Sequence, residues 1–215
     1  MTTIYFKSTY NVIDRLPIYS QSVIKAEPQL WRADRAFALD RGGPITKDFL
    51  QRLPDHGEAM KVLDSRVHML MPGMYPCIPG WHLDDIPRTR PDGQPDHVRP
   101  VYKSVHYAAC LGDASLTHFI YGPLALTNVP TNRGIVYQQW HKDIEDLVNA
   151  GVVSDVAVRE SELVKFGWGS FHRGEAATKH GWRMFIRASY DTDLQPMNEV
   201  RTQTQVYMTE PFVGW

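Results

Sequence analysis

The chain has 215 residues, a formal net charge of -1 and a pI near 6.7, a balance that exerts no overall electrostatic pull toward nucleic acid or an anionic membrane surface and argues against a dedicated non-specific DNA binder. With 43% hydrophobic and 11% aromatic residues it can bury one substantial core and is too short for two large domains, so one domain over 1–215 is expected. The first residues lack a basic stretch leading into an apolar one, no apolar run approaches the roughly 18 residues of a membrane span, and Cys77 and Cys110 form no CxxC pair; a soluble, cytoplasmic protein with reduced thiols and no obligate protein partner is the expectation.

In chain order, residues 1–45 mix short apolar stretches with Pro17, Pro28, Pro44 and Gly42-Gly43. They read as strands and turns leading into a short helix over about 46–53, capped by Thr46 or the residue before it. Met60 to Met71 is rich in β-formers and partly alternating, which predicts a long strand, or two joined by a bend, before the turn Pro72-Gly73. Pro76, Pro79 and Gly80 then prevent a regular central strand, so the chain is bent to deliver His82 to a particular place. The stretch 86–100 holds four prolines among charges and reads as a lid loop, with Arg88, Arg90, Arg99 and Lys103 gathered where they would attract an anionic substrate.

Val101 to Leu111 and Leu116 to Tyr121 are strand-like and separated by Gly112-Asp113-Ala114-Ser115, for which an antiparallel hairpin is the simplest arrangement. Tyr137 to Ala150 is the clearest helix, with Ile144, Leu147 and Val148 on one face and Gly151 as its stop. Val152 to Val158, Leu163 to Phe166 and Trp182 to Tyr190 complete the strands. About eight to ten mostly antiparallel strands with one long helix and one nearer the amino end predict a mainly-β sandwich or jelly-roll with flanking helices.

The residues that carry chemistry begin with His82-Leu83-Asp84, whose i, i+2 spacing in an extended segment projects both ligand-capable side chains to one side. A second histidine, His172, follows the glycine-rich turn Gly167-Trp168-Gly169. The strand after it alternates so that Arg183, Phe185, Arg187 and Ser189 share one face while Trp182, Met184, Ile186 and Ala188 share the other. Two arginines opposite an apolar face mark either a solvent-exposed face or a site with an anion to hold.

This order of residues resembles the Fe(II)/2-oxoglutarate-dependent oxygenases, in which an HxD pair, a distal histidine and an arginine one strand onward form the site. The resemblance covers about residues 62–190 and implies a double-stranded β-helix (jelly-roll or cupin-like) core. It further implies iron on His82, Asp84 and His172, with 2-oxoglutarate and O2 as co-substrates and hydroxylation of a small-molecule or nucleobase-type substrate. Two imidazoles and one carboxylate on one face of Fe(II) leave three positions open, and a planar guanidinium suits the far carboxylate of the co-substrate. Arg183 stands 11 positions after His172, the shorter of the family's intervals, which favours it as that anchor and leaves Arg187 for the substrate or the co-substrate's other end. Arg187-Ala188-Ser189 also resembles the Arg-x-Ser of another branch, which would reverse the two. Thr117 resembles a threonine that donates a hydroxyl to the co-substrate in some members. Asp85 is a rival to Asp84, but at i+3 an extended chain points it elsewhere; His106 is a candidate for the pocket lining, as are Trp81 and Trp168 for its walls. Two other functions fit the same residues: a cupin-like dioxygenase or isomerase without 2-oxoglutarate, and a non-catalytic module that binds an anionic ligand.

Overall fold

The structure is a computed structural model that describes residues 3–54, 60–91, 95–98, 101, 103–127 and 135–208. It is mainly β, with antiparallel sheets and flanking helices. The strands are β1 (Thr3–Ser8), β2 (Tyr10–Arg15), β3 (Leu30–Trp31), β4 (Val62–Leu70), β5 (Val105–Leu111), β6 (Thr117–Thr127), β7 (Ser154–Val158), β8 (Glu162–Gly167), β9 (His172–Gly174), β10 (Gly181–Tyr190) and β11 (Glu199–Val200). The helices are α1 (Gln21–Ala26), α2 (Arg35–Arg41), α3 (Pro44–Arg52) and α4 (Ile135–Asn149). No helix among the described residues is long and apolar enough to cross a membrane.

One sheet has the order β2-β8-β5-β10-β4; another runs β1-β6-β7, with β9 also pairing β6. Along β10, Met184, Ile186 and Ala188 are fully buried in a cluster with Ile24 of α1, Ala38 of α2 and Phe49 of α3, so the apolar face packs under the three helices. On the far side of the other sheet, Trp140 and Ile144 of α4 pack with Ile4, Phe6 and Phe171. Between the sheets lie Ala108 and Val164 from one and Phe119 and Val158 from the other. The order of layers is therefore helices, sheet, sheet, helix, and the arginine face of β10 points into the middle rather than to solvent: Arg183 is only 3% exposed.

Some expectations change. The segments around 105–111 and 117–127 do not form a hairpin. β5 pairs β8 and β10, whereas β6 pairs β1, β7 and β9, so the turn at Gly112 carries the chain from one sheet to the other. A Cβ at Gly112, where φ is +85°, would lie 2.2 Å from the Trp182 carbonyl oxygen, which explains the glycine there. β6 also runs past Tyr121 through Pro123; β7 leaves it at Tyr121, so one side is open beyond that point and a residue without an N–H is accommodated. Residues 1–45, read as strands and turns, include two helices as well, capped by Ser20 and Asp34. α4 ends as expected, with Gly151 at φ +71° and a Schellman pair of bonds from Gly151 N to Val148 O and from Val152 N to Leu147 O, both 3.0 Å.

The start of α3 is capped from a distance. Its N-cap, Gly43, has no side chain, and Thr46 lies inside the helix rather than capping it. The buried carboxylate of Glu27 supplies the acceptor instead, taking the backbone N–H groups of Gly43, Ile45 and Thr46 at 3.0, 3.1 and 2.9 Å and the Thr46 hydroxyl at 2.6 Å. Negative charge at a helix N-terminus also meets the favourable end of its dipole. Replacing Glu27 by Gln keeps the shape but removes the charge from four hydrogen bonds, and is expected to lower unfolding stability by roughly 1.5–3 kcal/mol, read as a lower urea midpoint at unchanged m-value.

Candidate metal centre

His82 stands at the end of an irregular segment that is seated at two places. Tyr75 pairs with Tyr207, exchanging backbone hydrogen bonds of 2.8 and 3.0 Å. Pro76 and Cys77 then lie against β9, where a Cβ on Gly174 would come within 2.8 Å of Pro76 Cγ and 2.9 Å of Cys77 Sγ. At the end of the segment, His82 and His172 exchange both backbone hydrogen bonds, each 3.1 Å. Residues directly opposite in an antiparallel pair project to the same side, so two imidazoles 90 positions apart in sequence stand together with ring centroids 4.6 Å apart. Trp81 and Leu83 turn into the α4 cluster, while His82 and Asp84 turn to the space between the sheets.

The imidazoles are oriented by their own loops. His82 Nδ1 lies 2.9 Å from the Gly80 carbonyl oxygen, and His172 Nδ1 lies 3.0 Å from that of Ser170. A carbonyl only accepts, so each Nδ1 carries the proton and each Nε2 carries the lone pair. Burial, and then the neighbouring His172, push the pKa of His82 down to about 4, so it is neutral at pH 7. Phe119 and Phe166 back the His172 ring at 5.4 and 5.2 Å. Asp84 Oδ2 lies 3.2 Å from His172 Nε2, and the ligand atoms of His82, Asp84 and His172 are all within 4.8 Å of one another. Two lone pairs and an anionic oxygen turned toward one point repel until a cation lies among them. The donor set of two imidazoles and one carboxylate, with hydrogen bonds fixing both rings, fits a divalent first-row metal with open positions.

The two arginines of β10 have different surroundings. Arg187 contacts Asp84 through Nη1 and lies 3.5 Å from both Asp64 and Asp85 through Nη2. Burial opposes its charge, but Asp84, Asp85 and Asp64 more than restore it and hold its pKa above the usual value. Burial likewise pushes Asp84 up, while the Arg187 guanidinium against it holds its carboxyl well below the usual range. Asp85, at φ +52°, turns to Arg187 and to His106 rather than to the two metal-facing histidines, and burial raises its pKa. Arg183 instead donates to the Ser115 carbonyl at 2.8 Å, Cys110 Sγ at 3.0 Å and Thr117 Oγ1 at 3.1 Å. Among the described residues it has no carboxylate partner.

These groups line a cavity of about 430 Å³ that holds His82, Asp84, His172, Thr117, Arg183 and Arg187 together. Other expectations fail here. His106 is not part of the lining; it is fully buried and spans Ser104 Oγ and Ser189 Oγ, each at 3.0 Å. Trp81 and Trp168 belong to the α4 cluster rather than to the wall. Arg88, Arg90 and Lys103 do not line the cavity, and Arg99 and residues 92–94 lie outside the described residues. Trp31, Arg66, His68 and Arg201 are lining residues not anticipated from sequence. The polar alternation of Asp64, Arg66 and His68 along β4 was the available signal for two of them.

A second group, His118, Asp155 and Glu175, also brings ligand atoms together. Arg173 already fills it, pairing with Asp155 at 3.0 Å, with Glu175, and with Glu145 at 2.6 Å while stacking on Trp81. Its acceptors serve a guanidinium, so it is an ion network that fastens β9 to α4. Compared with known proteins, the chain matches no protein-family model and no curated protein sequence. What the centre can do therefore follows from its own geometry.

His68 is the other unusual cavity group, 2% exposed, with burial and then Arg183 pushing its pKa from 6.5 to about 3. Its folded pKa is depressed, so the unfolded chain binds more protons between those values and stability falls as pH drops from about 6.5 toward 3. Replacing His68 by Gln is expected to reduce the slope of unfolding free energy against pH by up to about 1.4 kcal/mol per pH unit in that window, measured by urea denaturation at several pH values.

Proposed function

We propose that the chain is a non-haem Fe(II)/2-oxoglutarate-dependent oxygenase, a single catalytic domain whose two facing sheets are the halves of a double-stranded β-helix core. The observation that carries this reading is the convergence of His82 Nε2, His172 Nε2 and Asp84 on one point, with both Nδ1 atoms tied to carbonyls. When bound there, iron with 2-oxoglutarate and O2 supplies the oxidising chemistry that hydroxylates a C–H bond as 2-oxoglutarate is decarboxylated to succinate. The protein's own residues hold and orient. His82, Asp84 and His172 would hold the metal, and the cavity beside them would take the co-substrate and substrate.

Arg183 supports the co-substrate assignment over a metal enzyme that does without 2-oxoglutarate. A guanidinium buried between sheets without a carboxylate partner among the described residues is costly unless an anion meets it. Thr117 Oγ1, 3.1 Å from Arg183 Nη2, adds a hydroxyl beside it. Arg187 is the poorer anchor because three aspartates already surround it; its role is to hold Asp84 in place. Phe185 gives the cavity an apolar patch, packed against Phe119 and Phe166 behind it.

Anaerobic titration of Fe(II)-loaded protein with 2-oxoglutarate tests this reading through the weak visible charge-transfer absorption of the complex. His172→Ala is expected to abolish the band together with tight metal binding. Arg183→Gln is expected to leave metal binding intact and raise the 2-oxoglutarate concentration required by roughly 10- to 100-fold, since a bidentate charged contact is worth about 1.5–3 kcal/mol. Absence of a band in folded, iron-loaded wild-type protein would favour a metalloenzyme that does not use 2-oxoglutarate.

A further inference from the structure

The cavity carries more positive charge than the proposed reaction requires. Arg32, Arg66, Arg183, Arg187 and Arg201 line it, against Asp64, Asp84 and Asp85; Arg173 also reaches it but is committed to its own three carboxylates. Among the described lining residues, five guanidiniums against three carboxylates leave an excess of two positive charges. A divalent metal and dianionic 2-oxoglutarate cancel each other, so the excess persists after both are counted. It is located on the wall where Arg32, Arg66 and Arg201 have among the described residues only one carboxylate in salt-bridge range, Asp64, 3.6 Å from Arg201.

That wall is built rather than incidental. Arg201 follows directly on β11, which pairs with β3, and its own N–H donates to the Gln29 carbonyl at 2.7 Å. The β3 segment is fastened to β4 by the Ala33–Leu63 pair and by Leu30 N–H on Ser65 Oγ at 2.8 Å. Arg201 lies over the Trp31 ring at 4.7 Å, and its Nε is buried with no hydrogen-bond partner among the described residues. Arg66 stands on the inner face of β4, opposite Phe185 and between the rows of Arg183 and Arg187. Burial and then the charge of Arg66 push Arg201 below its usual pKa, although Asp64 acts the other way. Arg32 is held at φ +46°, a conformation uncommon outside glycine, by its N–H on Asp64 Oδ1 at 3.2 Å and by Met197 and Asn198 on its carbonyl.

We propose that Arg66 and Arg201, with Arg32 beside them and Trp31 beneath, form the substrate subsite of this cavity, and that the substrate is a small molecule bearing a doubly charged oxyanion, either a phosphate monoester or a pair of carboxylates. The substrate's C–H bond would then be held between this wall and the metal, within a volume of about 430 Å³ that suits a small metabolite. This substrate class rests on the oxygenase reading; the anion subsite itself does not. It also moves anion recognition from the loop at 86–100 to residues of β4 and of the segments that follow β3 and β11.

Calorimetric titration with inorganic phosphate and with malonate tests the subsite on the full chain loaded with Ni(II) and saturated with 2-oxoglutarate, whose own binding is measured on the same samples. One or both probes are expected to bind, phosphate alone pointing to a phosphate ester and malonate alone to a dicarboxylate. Arg66→Gln and Arg201→Gln are each expected to weaken the probe about tenfold or more, Arg66→Lys less, and Arg183→Gln hardly at all, with urea midpoints confirming that every variant is folded. Probe binding through Arg66 and Arg201 in protein that fails to bind 2-oxoglutarate would keep the subsite while removing the oxygenase reading. No binding of either probe to folded protein that still takes 2-oxoglutarate overturns the subsite. Binding that is indifferent to Arg66 and Arg201, or is lost only in Arg183→Gln, overturns it as well, because the probe then occupies the co-substrate's place.

Discussion

The backbone pairing of His82 with His172 is the constraint on which the candidate centre depends. It consists of two hydrogen bonds of 3.1 Å between an irregular loop and a three-residue strand. Their effect is geometric: directly opposed residues of an antiparallel pair present their side chains on the same side. A slip of one residue in either segment would send an imidazole into the α4 cluster and bring Phe171, Trp81 or Leu83 into a polar cavity. Burying an apolar side chain of this kind is worth about 1.5–3 kcal/mol, so the hydrophobic neighbours of the candidate ligands hold them in register. Gly174 and the Tyr75–Tyr207 pair serve the same end by seating the loop before it reaches His82.

Electrostatics then divides labour between two arginines that the strand presents identically. Arg187 lies opposite Asp64 in the β4–β10 register and Arg183 lies opposite His68. One guanidinium is therefore enclosed by carboxylates and fixes Asp84. The other is enclosed by a carbonyl, a thiol and a hydroxyl, with no carboxylate partner among the described residues. His68 can occupy that position only because burial keeps its ring neutral beside Arg183. The same strand pairing that builds the sheet thus determines which cation is enclosed by carboxylates and which is not.

Legibility from sequence differed sharply between kinds of feature. The alternation of residues 182–190 placed each side chain on its correct face, and the i, i+2 spacing placed His82 and Asp84 on one side, with Leu83 opposite. The stop at Gly151 was equally readable. By contrast, two segments that looked like a hairpin belong to different sheets, a proline did not end β6, and the amino-terminal third contains helices that its prolines and glycines concealed. Arg88, Arg90 and Lys103, which follow His82 and Asp84 in sequence, do not line the cavity, whereas Arg32, Arg66 and Arg201, from other parts of the chain, do.

What the sequence determined by itself was local: strand parity, helix termination and the residue types suited to a metal, because these follow from backbone geometry over a few residues. The tertiary structure alone decided that His172 meets His82, that Glu27 caps a helix beginning 17 positions later, that Arg183 rather than Arg187 is left without a carboxylate partner among the described residues, and that Trp31 and Arg201 complete the cavity. Each of these is a contact between residues distant in the chain. Such contacts are set by the order and register of the sheets, which depend on how all the apolar faces are buried at once and not on any one segment.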